Sequence, residues 1–495
     1  MPAYCTLLAK LCLIAALACA IGPAAAQRTS AAAPPAAQTT GPQRTVVLGT
    51  SGFWRMHHTL RPPLVQGDGG LKPVLLDKLK WLNGETPAPP PDWAKPEFDD
   101  GSWGRFPVRR EASTPYLARL CLRGQFRVAD PDKVRGLELT LAYCGGVIVY
   151  LNGRELARGN VATDPAGMAE PYPPEAFVTE MSTLLSALDK PTVESQRRLG
   201  LRLRKLSGVI IPRENLRSGV NVLAVEMVRA PYHKAVVEKS LRGKNPDLNW
   251  NTCYLECIQL TAENADGLVP NTVRPRGFQV WNSDLLAGDF DLDWGDSCEP
   301  LRPVKLAGAR NGTYSGKVVV GSPQPIRELK ATASDLKGAG GSIAASNVRI
   351  RYGMVWGKEM LSVPGFRCPS PYPAQEELFG ALGETPPREI PVYQKPVTPQ
   401  CLHTDNQPAP VFGAVCPVWV TIRTPKDARP GVYKGEITIE ARDEKPVKVP
   451  VEFKVLDWTL PAPQDYQTWV EMVQSPDTLT TEYGMAPWSD QHWQM

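Results

Sequence analysis

Residues 417–461 constrain the fold of this chain more than any other stretch. Three runs in it are rich in Val, Ile, Thr and Phe and alternate polar with apolar residues, a pattern typical of half-buried β-strands. The runs span residues 418–424, 433–441 and 447–456. Pro430 and Gly431 mark one joint between them, because proline fixes φ and glycine permits turn geometry. The pattern predicts the closing strands of a β-sandwich, and Pro461 ends the pairing because proline lacks a backbone donor.

The N-terminus has the features of a secretory signal. Lys10 is the only charged residue of positions 1–26, and an apolar run of 11 residues precedes a small-residue cleavage site that ends at Ala26. A membrane anchor is the alternative, but a spanning helix needs about 20 apolar residues. We therefore expect cleavage before Gln27 and export to the periplasm or the cell exterior, with no membrane contact afterwards. The Ala/Pro/Thr-rich residues 27–44 are expected to be a disordered leader.

Charge and cysteine content restrict the partners and the chemistry of the exported chain. Without Lys10 it has 54 basic and 51 acidic residues, a net charge of +3, which does not favour nucleic acid. Eight cysteines remain, which permits up to four disulfides, although buried free thiols are the alternative for several of them. They are Cys121, Cys144, Cys253, Cys257, Cys298, Cys368, Cys401 and Cys416. Cys253 and Cys257 would share a strand face about 13 Å apart, too far to bond each other.

Short strand patterns separated by Asn-Gly, Asp-Pro and Gly-rich joints predict two β domains and a short tail. Residues 45–262 form the first domain, with strand patterns at 117–128, 137–152, 221–228 and 253–261 and an inserted flap at about 161–207. Within the flap, residues 174–189 are the best helix candidate. Residues 263–461 are expected to form the second domain, an immunoglobulin-like β-sandwich. There, Asn311-Gly312 predicts a hairpin turn in the first instance, and with Thr313 it is also a glycosylation sequon.

Four motifs of the first domain occur in the order and spacing of a known module. They are Phe98-Asp99-Asp100-Gly101-Ser102-Trp103, Arg123-Gly124-Gln125-Phe126-Arg127-Val128, Val149-Tyr150-Leu151-Asn152-Gly153-Arg154-Glu155 and Gly219-Val220-Asn221-Val222-Leu223-Ala224-Val225-Glu226. In this order the motifs resemble the galactose-binding-like jelly roll that precedes the catalytic domain in family 2 glycoside hydrolases. The resemblance implies a carbohydrate-associated β-sandwich whose signature residues are more often structural than ligand contacts.

Aromatic side chains are the candidate sugar contacts of this domain. Trp54, Trp93, Trp103 and Tyr150 could stack on a sugar ring, whose axial C–H face suits an aromatic surface. Core packing is the competing interpretation, and for Trp103 it is the favoured one. No residue of the chain is predicted to be catalytic.

Asp289, Asp291 and Asp293 are the candidate metal ligands, with Asp296 and Glu299 close behind. If residues 289–294 form a strand, the first three carboxylates share one face and could bind calcium. A solvated strand face is the favoured alternative, since Trp294 stands where the helix–loop–helix calcium template needs glycine. No cofactor other than a structural calcium ion is expected. Glycosidase chemistry from this row is disfavoured because a solvated row cannot separate the pKa values of an acid and a base.

The second domain and the tail resemble part of another hydrolase family. The residues that carry this are Val418-Trp419-Val420-Thr421, the run from Pro425 through Asp427, Pro430 and Tyr433 to Gly435, and Leu456-Asp457-Trp458-Thr459-Leu460-Pro461. They resemble the N-terminal sandwich of glycoside hydrolase family 123, which leads into a (β/α)₈ barrel. That family acts on N-acetylgalactosamine glycosides through an Asp-Glu pair located in the barrel. Residues 462–495 would be the start of a truncated barrel, so this chain alone is expected to be inactive.

These observations favour the carbohydrate-associated N-terminal portion of an exported glycoside hydrolase, with a glycan or polysaccharide as its partner. Two other functions stay open. The chain could be a complete, noncatalytic glycan-binding protein, or its sandwiches could serve as structural spacers. Glycan binding separates the second function, the glycan-binding protein, from the third.

Overall fold

Two β-sandwiches hold most of the strands of this chain, as a computed structural model shows. It describes residues 44–50, 52–75, 80–108, 114–163, 167–186, 192–240, 246–248, 250–354, 379, 381–392, 411–467, 477, 480 and 484–494. All of these belong to one compact unit, Gln43–Met495. The prediction of a mainly β chain with two sandwiches is confirmed. The predicted barrel start, residues 462–495, lies partly outside the described residues and stays a prediction.

Two facing sheets form the first sandwich. The strands of this part of the chain are, in chain order, β1 (Thr45–Gly49), β2 (Phe53–Leu60), β3 (Leu64–Gly67), β4 (Gly70–Pro73), β5 (Gly104–Pro107), β6 (Leu117–Val128), β7 (Glu138–Cys144), β8 (Gly146–Leu151), β9 (Arg154–Gly159), β10 (Arg204–Ile210), β11 (Gly219–Val228), β12 (Tyr232–His233), β13 (Tyr254–Ala262) and β14 (Leu268–Val269). Of these, β12, β3 and β4 form a separate small sheet. Sheet 1 has the order β1-β13-β7-β10, and sheet 2 has the order β5-β2-β6-β11-β8-β9 with β14 beside β6. Between them lies a core that includes Trp54, Leu122 and Val225 of sheet 2 and Leu141 and Ile258 of sheet 1.

Local backbone geometry explains two of the turns in this sandwich. Asn152 and Gly153 have φ values of 50° and 82° and join β8 to β9 in a two-residue hairpin, as their sequence predicts. Gly145, with φ of 98°, lies between β7 in sheet 1 and β8 in sheet 2. A Cβ atom at Gly145 would stand 2.3 Å from the carbonyl oxygen of Val228. The single strand predicted over 137–152 is therefore two strands in different sheets.

The helices are short, and the predicted helix is wrong. Those with described bounds are α1 (Val193–Gly200), α2 (Ala235–Glu238) and α3 (Asp490–Gln494), with 3₁₀ turns at Lys80–Asn83, Pro131–Lys133, Pro174–Ala176, Arg213–Asn215, Ala345–Asn347 and Pro463–Asp465. In the described part of 174–189, the 3₁₀ turn is followed by an isolated β-bridge between Val178 and Leu184. Thr192 and Ser195 form a capping box that starts α1. No helix among the described residues is long and apolar enough to cross a membrane.

A second pair of facing sheets follows. The strands of this part of the chain are β15 (Gln279–Ser283), β16 (Val304–Arg310), β17 (Thr313–Ser322), β18 (Ile326–Arg327), β19 (Lys330–Ala333), β20 (Leu336–Gly338), β21 (Gly341–Ile343), β22 (Val348–Met354), β23 (Ala381–Gly383), β24 (Glu389–Ile390), β25 (Ala414–Arg423), β26 (Gly431–Glu440) and β27 (Val447–Thr459). Of these, β18 and β24 form a separate two-stranded sheet. Sheet 3 has the order β15-β17-β25-β22-β23, and sheet 4 has the order β16-β27-β26-β20-β21 with β19 beside β26. Val320, Val420, Tyr433 and Phe453 are among the residues of their shared core.

Asn311-Gly312 does not form the predicted hairpin. Asn311 has the positive φ, 60°, that such a turn needs. However, β16 before it pairs with β27 in sheet 4, whereas β17 after it pairs with β25 in sheet 3. The Asn311 amide nitrogen Nδ2 donates to the carbonyl of Leu460 at 3.0 Å. The turn therefore carries the chain from one sheet of the sandwich to the other.

The described cysteines are mostly buried, and four of them are free thiols. These are Cys121, Cys144, Cys298 and Cys416. Burial raises the pKa of Cys144, Cys298 and Cys416 to about 12, which keeps these thiols protonated at neutral pH. Cys253 lies in the main core, but a bulge between Leu255 and Cys257 turns Cys257 toward Ala142, so the two do not share a face as predicted. Cys368 and Cys401 lie outside the described residues.

Candidate functional site

A buried ion pair joins the first two motifs of the first sandwich. The Arg123 Nε on β6 lies 2.8 Å from the Asp100 Oδ2 in the loop before β5. The same guanidinium donates to the carbonyl oxygens of Trp93 and Lys95. These contacts hold residues 93–103 against the outer face of sheet 2, the face turned away from the core. The motif residues thus hold a loop in place.

Three of the four predicted sugar contacts lie inside the protein. Trp54 is fully buried in the core, where its Nε1 donates to the Gly49 carbonyl at 3.1 Å. Trp93 and Trp103 are each 6% exposed and stack with their ring centroids 5.9 Å apart. Phe98 packs edge-on against Trp103. The expectation that these three rings are sugar platforms is therefore wrong. Their faces contact protein, and Trp93 and Trp103 attach the loop to the sheet.

Tyr150 is the half-exposed member of the four and belongs to a polar cluster on sheet 2. Its hydroxyl donates to the Glu226 Oε2 at 3.2 Å, and the Arg119 Nε lies 3.0 Å from the Glu226 Oε1. We call these three residues the Tyr150 cluster. Burial and the Glu226 carboxylate raise the pKa of Tyr150, so its hydroxyl stays protonated. No sequence pattern predicted Glu226 or Arg119 as a site residue, although Glu226 ends the motif that begins at Gly219.

The three predicted calcium ligands, Asp289, Asp291 and Asp293, are buried rather than solvated. Residues 289–294 are not a strand, and Asp289, Asp291 and Asp293 are each 5% exposed or less. The Lys317 Nζ on β17 lies 2.6 Å from the Asp289 Oδ2, and the Asp293 Oδ2 accepts from the Phe290 amide at 2.9 Å. Burial raises the pKa of Asp289, and Lys317 partly offsets this. Two parts of the prediction are therefore wrong. The three carboxylates do not share one face of a strand, and they are not solvated.

No metal site is found for the predicted calcium ligands. Among the described residues, no group of three or more His, Cys, Asp or Glu side chains is arranged to hold a metal ion. Lys317 supplies the positive charge beside Asp289 that a calcium ion would otherwise bring. The Asp289 carboxylate accepts from Ser283 and Lys317, and the Asp293 carboxylate accepts from the Phe290 amide.

Residues 289–302, between β15 and β16 of the second sandwich, contact the same outer face of sheet 2 and join the two sandwiches. Arg55 on β2 donates to both oxygens of Glu299, at 2.8 and 2.5 Å. Arg105 on β5 donates to the Trp294 carbonyl at 2.8 Å. The Arg302 guanidinium lies 3.4 Å from Glu299 of the same segment and 3.7 Å from Asp100 of the first sandwich. The junction is therefore built from paired charges.

Two carboxyl groups of the junction have opposite pKa shifts. Burial alone would raise the pKa of Glu299, but Arg55 and other guanidiniums lower it below its usual range. Burial and the nearby Glu299 charge raise the pKa of Asp296 to about 6. The Asp296 Oδ1 accepts from the Asn271 Nδ2 and from the Cys298 amide, each at 2.7 Å. Glu299 therefore stays negatively charged at neutral pH, whereas Asp296 gains or loses its proton near pH 6.

The second sandwich matches a known family. Residues 299–441 match the glycoside hydrolase 123 N-terminal domain and are identified as such a domain. No curated protein matches the chain.

Several solved structures show a distant likeness. A family 123 glycoside hydrolase from Clostridium perfringens, analysed for glycolipid glycan hydrolysis, is 18% identical over 44% of this chain and 34% of its own, with a TM-score of 0.30. A calcium-binding mutant of Bacteroides uniformis β-glucuronidase 2 is 11% identical over 83% of this chain and 32% of its own, with a TM-score of 0.23. Bifidobacterium dentium β-glucuronidase is 11% identical over 84% of this chain and 49% of its own, with a TM-score of 0.21. This chain spans about a third of the length of the first two structures.

Proposed function

From the glycoside hydrolase 123 N-terminal domain at residues 299–441, we propose that this chain is the carbohydrate-associated N-terminal portion of an exported glycoside hydrolase. The match at 299–441 is the observation that carries the proposal. The substrate class is N-acetylgalactosamine glycosides. The role of the described residues is to bind glycan and to support the catalytic part, and the bond is cleaved elsewhere.

Buried carboxylates in the described part favour binding over cleavage. Glycoside hydrolysis uses two carboxyl groups, about 5 Å or about 6.5–9.5 Å apart, that flank the bond, one of them protonated. Glu226 is held by Arg119, Asp289 by Lys317 and Glu299 by Arg55. A carboxylate paired in this way is neutralised by its cation, so it is a poor acid and a poor nucleophile.

Export is part of the proposal and has a direct test. Expression of the full chain in a bacterium with an intact secretion pathway should yield mature protein that begins at Gln27. N-terminal sequencing of the periplasmic fraction reads this directly. Retention of residues 1–26 in the recovered protein would contradict export by cleavage.

Binding and hydrolysis are tested together on the full chain. We expect a glycan array and calorimetry to detect binding to N-acetylgalactosamine glycosides, and 4-nitrophenyl N-acetylgalactosaminide to remain uncleaved. Absence of binding across the array at millimolar sugar would overturn the carbohydrate-associated role. Release of 4-nitrophenol in proportion to protein would show that this chain carries out the cleavage itself.

A further inference from the structure

A cleft of about 540 Å³ opens where the two sandwiches meet. Asp99 and Ser102 of the first sandwich line one wall. Leu285, Arg302 and Lys305 of the second line the other. Ligand sites of proteins occupy about 300–1,000 Å³ and are frequent between domains. The cleft therefore has the size and the position of a binding site for a small ligand.

Paired charges beneath the cleft fix its walls. The side chain of Arg55 is 4% exposed and is held by Glu299, and that of Lys317 is 2% exposed and is held by Asp289. Both cations line the cleft. Arg302 reaches across to Asp99 at 3.5 Å and Asp100 at 3.7 Å, so it ties the wall of one sandwich to that of the other. A site whose walls are fixed in this way loses little conformational entropy when a ligand binds.

The groups that face solvent in the cleft favour an uncharged ligand. With the two buried pairs neutralised, Arg302 and Lys305 balance Asp99 and Asp284, so the lining has no net charge. Donors and acceptors therefore occur together, and Leu285, 41% exposed, adds an apolar surface. A saccharide has the matching surface, because its hydroxyl groups both donate and accept while its C–H groups contact apolar atoms.

We propose that this cleft is the saccharide-binding site of the chain and that it takes an uncharged mono- or disaccharide. The assignment rests on the proposed carbohydrate-associated function and names the site. The predicted aromatic platform offers no alternative, because Trp54, Trp93 and Trp103 are buried. The Tyr150 cluster is the competing location, but its hydroxyl and guanidinium already bind the Glu226 carboxylate.

The test uses the full chain, N-acetylgalactosamine as the probe and matched variants. Ser102→Trp fills the cleft, and its control is Ser342→Trp at an exposed serine of β21. Lys305→Glu upsets the charge balance, and its control is Lys454→Glu on the neighbouring strand β27. We expect both cleft variants to lower affinity at least tenfold in calorimetry, while both controls bind as the unaltered chain does. Hydrogen exchange should show protection at 101–102 and 284–285 with sugar bound.

The possible results separate the two proposals. Unchanged affinity in both cleft variants overturns the cleft site, and loss of binding in Tyr150→Phe instead moves the site to the Tyr150 cluster while the carbohydrate-associated function stands. Failure of the unaltered chain to bind any glycan overturns both proposals. Glucuronic acid should bind more weakly than N-acetylgalactosamine, and tighter binding of this anionic sugar would overturn the uncharged class.

Discussion

Arg55 of the first sandwich and Glu299, in the segment between β15 and β16 of the second, form a two-point ion pair with N···O distances of 2.8 and 2.5 Å. Their side chains are 4% and 13% exposed. Two parallel charge-assisted bonds fix the orientation of the partners as well as their distance. The pair therefore determines how residues 289–302 lie on sheet 2, and with them the walls of the cleft.

Removing one partner of this pair should destabilise the protein strongly. Glu299→Gln leaves the buried Arg55 guanidinium without its counter-charge, and we expect a loss of about 3–5 kcal/mol in the free energy of unfolding. Urea denaturation at pH 7 measures it. The double variant Arg55→Met with Glu299→Leu should recover most of the loss, because neither charge is then buried alone. A single variant within about 1 kcal/mol of the unaltered protein would contradict this role.

Asp296 should make stability fall as pH rises from about 4 to about 6. Its pKa is about 6 in the folded protein and about 3.9 in an unfolded chain. Between these values the folded state binds more protons, so the free energy of unfolding decreases with pH. Above pH 7 this carboxylate is ionised in both states and the decrease is complete.

Asp296→Asn isolates this effect. The Asp296 Oδ1 accepts both hydrogen bonds, from Asn271 and from the Cys298 amide, and an asparagine oxygen can accept both in the same way. We expect the variant to be more stable than the unaltered protein by about 1–3 kcal/mol at pH 8, and equal to it near pH 4. Denaturation curves across pH, compared as differences, remove the contributions of the other groups. A constant difference at all pH values would show that Asp296 does not titrate in this window.

Trp54→Phe should weaken the fold and leave sugar affinity unchanged. The indole is fully buried, and its Nε1 donates to the Gly49 carbonyl. Loss of this bond and of packing atoms should cost about 1–3 kcal/mol in unfolding free energy. Thermal denaturation measures the cost, and calorimetry with N-acetylgalactosamine measures affinity. A tenfold loss of affinity in a variant that remains folded would restore Trp54 as a ligand contact.

Strand positions could be predicted from the sequence because alternation is a local property. The predicted run 117–128 coincides with β6 (Leu117–Val128), and the closing runs fall within β25, β26 and β27 apart from one residue at the ends of two of them. Burial on the outer face of sheet 2 could not be predicted. Of the two segments that cover it, residues 93–103 have no strand periodicity, and the alternation of residues 289–294 predicts a strand that does not form. Neither segment therefore indicates which surface it contacts.

The two Asn-Gly turns also separate a local property that could be predicted from a tertiary contact that could not. Asn152-Gly153 and Asn311-Gly312 both start with a positive φ, yet the first closes a hairpin and the second crosses between sheets. The dihedral angles follow from the residue types, whereas the pairing of the flanking strands follows from tertiary contacts. For the same reason the position of Lys317, next to the apolar residues 318–320 of β17, indicated neither its partner Asp289 nor the cleft above it.

Asn152 should be the most sensitive residue of the β8–β9 turn. Its Nδ2 donates to the Asn221 Oδ1 at 2.9 Å and to the Asn215 carbonyl at 3.1 Å, and its Oδ1 accepts from the Val222 amide at 3.0 Å. Asn152→Ala removes these bonds and places a residue with a Cβ and no local hydrogen bond at φ of 50°. We expect a loss of about 2–4 kcal/mol in unfolding free energy. Asn152→Gly should lose less, because glycine adopts this φ without strain, so equal losses in both variants would show that the hydrogen bonds alone account for the effect.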